Sequence, residues 1–473
     1  MTPLSAIFAA TPSTVEPIAD GWQLIVAALL GIAVIVVLIT VAKVHPFLAL
    51  IFGAITVGVV AGQDLIRTDS TAEDAIDVLT SFATGFGATA AGVGVLIALG
   101  AMFAKLLADS GGADQIVDTI VGHASPRMLP WAMALVGAII GLPMFFEIGL
   151  VLLMPVIYLV ARRANLSLIT IGIPALAGLS AMHGLVPPHP GPLTAIANLQ
   201  ADLGTTLAFG VIVAIPTIVV SGPLFGTLAG RWVVVPAPTR FDADEADKGV
   251  RRPSFGITLL AVLLPVVLMM GKALVDILVD DNTVPVRVFF DILGTPLVAL
   301  LLAVVAGMFL LGRGSGMGFA QISKVLESSL PGIAGIILIV AAGGGFKQVL
   351  VDTGIGTLLA DWAKGADVSV LLLAWVLAVL IRLATGSATV ATITASALML
   401  GVVEGLPTSE VSLVVLAIGA GSVFFSHVND AGFWLVKEYF GLSVGQTIKS
   451  WSLMETVLSV SGLVFVLLLG LVV

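Results

Sequence analysis

Four short polar stretches interrupt long apolar runs in this chain, and each carries side chains able to hold an anion or move a proton. GLPMFFEIG (141–149) sets Glu147 inside the apolar stretch 129–161. A carboxylate taken out of water without a partner costs several kcal/mol. A carboxyl that binds and releases protons at such a place is what proton coupling requires; a Glu that merely caps the amides of a hairpin tip is the alternative. MHGLVPPHPGP (182–192) combines His183, Gly184 and His189 with four prolines, and cannot continue a helix. It reads as an unwound segment in a broken helix, with histidines that can bind an anion or carry protons; a tight surface loop is the alternative. ATGSATVATIT (384–394), preceded by Arg382, places Thr385, Ser387, Thr389, Thr392 and Thr394 around Gly386. Small hydroxyl residues at a turn that opens a helix offer free amides and the positive helix end to an anion, and hydroxyls to a polyol; close helix packing by small residues is the alternative. FSHVNDAGFW (425–434) holds Ser426, His427, Asn429 and Asp430 after a further apolar run. Asp430 is a second candidate for a buried ionisable group, unless it marks a wet membrane-surface end.

The elements that must position these residues follow from composition. Hydrophobic residues make up 59% of the 473 and charged residues only 10%, against roughly 25% in soluble domains. So few charges cannot coat a soluble fold of this size, so lipid must replace the missing polar shell. The 52 glycines fit a bundle of closely approaching membrane helices. The net charge of −9 gives no reason to expect nucleic acid, and the lack of cysteine excludes thiol and disulfide chemistry. There is no Walker A sequence, no dinucleotide fingerprint, no zinc-type histidine spacing and no catalytic pair. The expectation is a protein that is not an enzyme and needs no cofactor or metal.

Apolar runs place spans near 23–42, 45–62, 89–107, 166–186, 203–231, 256–279, 289–311, 328–351, 410–426 and 452–473. Residues 1–20 lack Lys and Arg, so insertion is expected to be internal and uncleaved. The long stretches 129–161 and 369–403 are each broken, and read as re-entrant hairpins packed within protein. With the N-terminus outside, Arg162, Arg163, Arg231, Arg251, Arg252 and Arg313 all become cytoplasmic, a positive-inside assignment that puts both termini outside. The linker 233–255, rich in Pro and charge, divides the chain into 1–232 and 256–473. ALGAMFAKLLADSGG (98–112) aligns with AAGGGFKQVLVDTGI (341–355) at six identical positions, with Ser110 facing Thr353. Five spans per half, an odd number, would invert the second half. The expected fold is therefore an all-α integral membrane protein of about ten transmembrane helices plus two re-entrant hairpins in two inverted-topology repeats, the layout of many secondary transporters. Hairpins fall near 129–161 and 369–403, broken helices near 182–192 and 425–434.

LLADSGGAD, GLPMFFEIG, AGLSAMHGLVPPHPGP and FSHVNDAGFW resemble the gluconate permease family, the GntP-type gluconate:proton symporters, in order from about residue 20 to the C-terminus. The resemblance implies proton-coupled uptake of gluconate or a related sugar acid through a bacterial cytoplasmic membrane, and an ion-transporter-superfamily fold. Family members also carry other hydroxy acids and D-serine. On this reading Thr385, Gly386, Ser387, Thr389, His183, Gly184, His189 and Asn429 contact the substrate, and Glu147 or Asp430 carries the proton. Sodium coupling through the hydroxyl-rich tip is the alternative. The partners expected are the anion, protons and the lipid bilayer, and a homo-oligomer is compatible with the sequence.

Overall fold

A computed structural model of the chain describes residues 16–66, 77–236, 251–279, 281, 283–355, 357–358, 369–427 and 430–473. Every regular element among them is helical. Eight of the described helices are long and apolar enough to cross a membrane, and five shorter apolar helices accompany them. Leu29, Ile215, Leu260 and Phe309 are each more than half exposed on the outside of the bundle, where only lipid can cover such side chains. The protein is an integral membrane protein.

Apart from the short helices Gly112–Gly122 and Pro285–Leu293, the described helices form two series of similar order. The first pass is Gly21–Thr40, Pro46–Ala61, a helix from Val78 to Asp109 through a π-turn, the helix pair Leu129–Gly141 and Phe146–Ala164, the broken helix Leu168–Leu185 and Pro190–Leu199, and a span from Leu203 to Trp232. The second is Phe255–Leu278, a span from Pro296 to Arg313, a helix from Phe319 to Asp352, the pair Val370–Thr385 and Ala388–Met399, the broken helix Thr408–Ser422 and Ala431–Phe440, and a span from Val444 to Leu469. The aligned windows end alike. Gly111 and Gly354 both take left-handed backbone, with φ of 72° and 76°. The paired hydroxyls before them also bond alike: Ser110 donates to the Leu107 carbonyl, and Thr353 to that of Leu350, the residue aligned with Leu107.

Several expected boundaries move. The span expected at 89–107 starts at Val78, because Asp77 caps it by accepting from the Thr80 amide at 2.7 Å. The run 289–311 is two helices, Pro285–Leu293 and one opening at Pro296, each with a proline at its first position, where the missing N–H costs no helical bond. The last span starts at Val444, where Ser443 and Gln446 form a capping box. Of the linker, residues 237–250 lie outside the described residues.

Packing separates centre from periphery. In the broken helix Leu168–Leu199, 89% of the most apolar stretch is buried, against 28% in Gly21–Ile39. The two broken helices cross where Gly419 meets Gly184: a Cβ on Gly419 would run into the Gly184 carbonyl oxygen. Each broken helix packs tightly on the hairpin of its own half. A Cβ on Gly178 would strike the Ala134 carbonyl, and one on Gly421 would lie 2.6 Å from that of Trp375. No larger residue fits such backbone contacts, which explains the glycine content better than flexibility does.

Candidate functional site

Both hairpins turn where the sequence breaks. The first passes from Gly141 to Phe146 through Leu142–Phe145. The second turns at Gly386, whose left-handed φ of 72° suits glycine. Ser387 then caps the helix Ala388–Met399 by accepting from the Val390 amide at 3.3 Å. The hydroxyl tip is therefore at a helix start, as its composition predicts. Part of its polarity is consumed locally: Thr385 donates to the Ile381 carbonyl at 2.8 Å and Thr392 to that of Ala388 at 2.9 Å. The Thr394 hydroxyl is buried without a hydrogen-bond partner.

In the first half, the break spans Val186–His189, and His189 stands at the N-cap position of the helix that follows with its side chain directed elsewhere. His189 is buried, and its Nε2 donates to the Gly141 carbonyl at 2.5 Å, tying the break to the first hairpin tip. That partner assigns the proton to Nε2. The His183 ring lies 5.3 Å from the His189 ring. A cavity of about 10 Å³ between this tip, the break and Gly100 is water-sized at most. Glu147 sits in the first turn of Phe146–Ala164, but its side chain lies outside the described part of the structure.

In the second half the corresponding place is ionic. Arg382, only 4% exposed, donates through Nη2 to Asp430 Oδ2 at 2.5 Å and through Nη1 to the Gly386 carbonyl at 2.6 Å. Asp430 caps Ala431–Phe440, accepting from the Gly432 amide at 2.9 Å. The Ser426 hydroxyl also donates to Asp430, and the Trp451 indole N–H donates to that hydroxyl at 2.7 Å. His427 Nε2 bonds the Leu383 carbonyl at 3.2 Å. Asp430, its side chain 16% exposed, is thus a partly buried, paired carboxylate inside the break rather than a wet helix end. Asn429 lies outside the described residues.

The halves interlock. Phe146, at the first tip, stacks 5.1 Å from Trp451. The helix after the first break lies on the second hairpin, with Gly191 against Thr392 and Asn198 Nδ2 donating to Ser396 Oγ at 2.8 Å. Ser180, on the first broken helix, donates to Glu455 Oε1 at 2.5 Å. Glu455 is 1% exposed near the start of Leu453–Leu469. Two tips and two breaks therefore share one contact network, in which His183, Gly184, His189, Thr385, Gly386, Ser387 and Asp430 take part or adjoin; Thr389 lies in the first turn of Ala388–Met399. Sequence reasoning passed over Arg382 as a site residue and missed Glu455, Ser180 and Trp451. The signal available was a lone arginine in LLLAWVLAVLIRLAT and a lone acid in the last apolar helix.

A larger cavity of about 250 Å³ lies elsewhere, lined by Ile25, Leu29, Leu373, Leu377, Met399 and other apolar residues. A polyhydroxy anion needs convergent polar groups, so this crevice is not its site. No group of three or more metal-ligating side chains occurs among the described residues.

Residues 22–472 match the family profile described as GntP family permease. A gluconate permease of Pseudomonas aeruginosa is 48% identical, the alignment covering 95% of this chain and 98% of that protein. The Gnt-II system L-idonate transporter of Escherichia coli is 42% identical over 94% and 98%, and a high-affinity gluconate transporter of the same organism 40% over 95% and 100%. The solved structure of the Alcanivorax borkumensis YdaH transporter superposes with a TM-score of 0.62, covering 90% of this chain and 98% of that one at 17% identity. That likeness concerns the fold.

Proposed function

We infer, from the premise that this chain belongs to the GntP permease family, that it imports gluconate or a related sugar acid into a bacterial cell together with protons. The chain is a transporter and not an enzyme. Relatives described as gluconate and L-idonate carriers favour a linear polyhydroxy carboxylate as substrate. The observation that carries the reading is the hydroxyl-lined helix start at Ser387, joined through Gly386 to the buried Arg382. A helix N-terminus with a nearby guanidinium suits a carboxylate. The hydroxyls of Thr385, Ser387 and Thr389, with His183, Gly184, His189 and Asn429 of the two breaks, suit the polyol.

Proton coupling has an energetic basis. Importing one negative charge into a cell at −100 mV costs about 2.3 kcal/mol, roughly a fortyfold loss of accumulation. One co-transported proton removes that loss and adds the pH gradient. Glu147 and Asp430 are the carboxyls that the sequence singles out for it. We further infer an inverted pair of repeats, 1–232 and 256–473, working by alternating access. In this arrangement the linker 233–255 is cytoplasmic and both termini are outside, in the cytoplasmic membrane. An Ala246→Cys protein labelled by an impermeant reagent in intact cells would contradict that topology.

Uptake of labelled gluconate into proteoliposomes, with pH and sodium gradients imposed separately, tests the function. Saturable accumulation driven by pH is expected. Accumulation driven by sodium alone would favour the sodium-coupled alternative, and competition by D-serine rather than gluconate a different substrate.

A further inference from the structure

The symport reading requires a proton carrier, and the buried acids differ in how their charge is balanced. Asp430 accepts from Arg382, Ser426 and the Gly432 amide, so its charge is neutralised by a fixed guanidinium. Glu455 is more deeply buried, 1% exposed against 16% for the Asp430 side chain, yet its hydrogen bond comes from one neutral hydroxyl, that of Ser180. No lysine, arginine or histidine lies within ion-pair distance of Glu455 among the described residues. We propose that Glu455 carries the coupled proton, while Arg382 and Asp430 remain a fixed ion pair beside it.

The surroundings of Glu455 define two charge states. Arg382, from the first arm of the second hairpin, and Asp430, from the second break, act on it electrostatically. The broken helix Leu168–Leu185 presents the neutral Ser180, and the helix Leu203–Val219 carries no titratable residue. Glu410, Arg231 and Lys449, on the other elements packed against this span, are exposed. With a proton on Glu455 the cluster of Arg382, Asp430 and Glu455 is neutral; without it the cluster carries one negative charge. A gluconate carboxylate held at the Ser387 helix start, which Arg382 joins to this cluster, meets no net repulsion in the first state and a like charge in the second. Anion and proton therefore favour each other's binding, and the coupling is reciprocal. The step is a proton transfer from water on one side to a Glu455 carboxylate oxygen, and its return to water on the other.

Position gives this charge state a mechanical route. Ser180 is three residues before His183 on the broken helix that crosses its counterpart at Gly184 and Gly419. Arg382 Nε is buried without a hydrogen-bond partner, so the guanidinium has a donor in reserve when Glu455 ionises. Protonation of one carboxyl is thus felt by a broken helix of the first half and by a hairpin tip of the second.

This inference rests on proton-coupled gluconate uptake, and the experiment separates the two. Wild type and Glu455→Gln are reconstituted and assayed for pH-driven accumulation and for counterflow exchange as a function of pH. Glu455→Gln is expected to lose accumulation and to exchange gluconate at a rate that no longer varies with pH. Accumulation by Glu455→Gln in response to an imposed pH gradient overturns the assignment and leaves the symport reading standing. A wild type that ignores the pH gradient overturns both. Should the amide variant fail to reach the membrane, Ser180→Ala removes only the hydroxyl donor. The pH profile of its exchange is expected to move up by about one unit, and an unmoved profile counts against Glu455.

Discussion

The two hairpin-and-break regions share a layout and differ in chemistry. In the first half a neutral hydrogen bond, His189 to the Gly141 carbonyl, ties break to tip. In the second half the same tie is an ion pair, Arg382 to Asp430, with the tip carbonyl of Gly386 on the same guanidinium. The difference matters in a low-dielectric interior, where stranding a charge costs far more than losing a neutral bond. One bundle can thus hold one region that tolerates rearrangement and one whose charges must be kept in balance. The second region also adjoins the hydroxyl tip and Glu455, the places proposed above for the substrate carboxylate and the coupled proton.

The largest effect is expected from breaking the ion pair. Arg382→Ala leaves the partly buried Asp430 without its cation, and should destabilise the protein by up to about 3 kcal/mol and abolish uptake. The Arg382→Ala/Asp430→Ala double variant should be the more stable of the two in a thermal melt in detergent. A single variant no worse than the double would mean that the pair is not the fixed element described here.

Next in size is the hydroxyl tip. Ser387→Ala or Thr389→Val should raise the KM for gluconate by about one to two decades, the loss of one hydrogen bond to a charged ligand being worth roughly 1.5–3 kcal/mol. Unchanged kinetics in both would move the anion to the first region and reverse the comparison. His189→Gln, which retains an N–H donor, should cost less than His189→Ala, by about 1 kcal/mol. Equal melting temperatures for the two would show that the neutral tie of the first half contributes nothing.

The smallest effect is expected outside both regions. Lys272 bonds Asp291 at 2.7 Å, with Arg287 at 3.5 Å. The Lys272 bond, foremost, holds the Asp291 carboxyl below its usual 3.8. A depressed folded value means stabilisation that is present above the unfolded value and lost as pH falls through the folded one. The pair is well exposed, so Lys272→Ala should cost no more than about 1 kcal/mol, less in high salt, and its difference from wild type should shrink as the pH is lowered through the acid range. A cost matching that of Arg382→Ala would erase the distinction between buried and exposed pairs.

How much was legible varies with the range of the interaction. Apolar length, proline clusters and the glycine of the second tip are local signals, carried by neighbouring residues and readable without any partner. Boundaries failed where capping chemistry decided them, at Asp77, Pro296 and Ser443. Asp430 stood out in the sequence, but a wet helix end and a buried acid read alike until its partner was known.

The sequence by itself determined the membrane class, the family and the polar stretches, because burial in lipid acts on each segment's composition and helix breaking acts on neighbouring residues. Only the tertiary structure decided which charges meet. Arg382 and Asp430 are 48 positions apart, and Ser180 and Glu455 are 275. No local pattern encodes such pairings; they exist because backbone contacts at glycines such as Gly178, Gly419 and Gly421 bring the broken helices and hairpins close enough for the pairs to form.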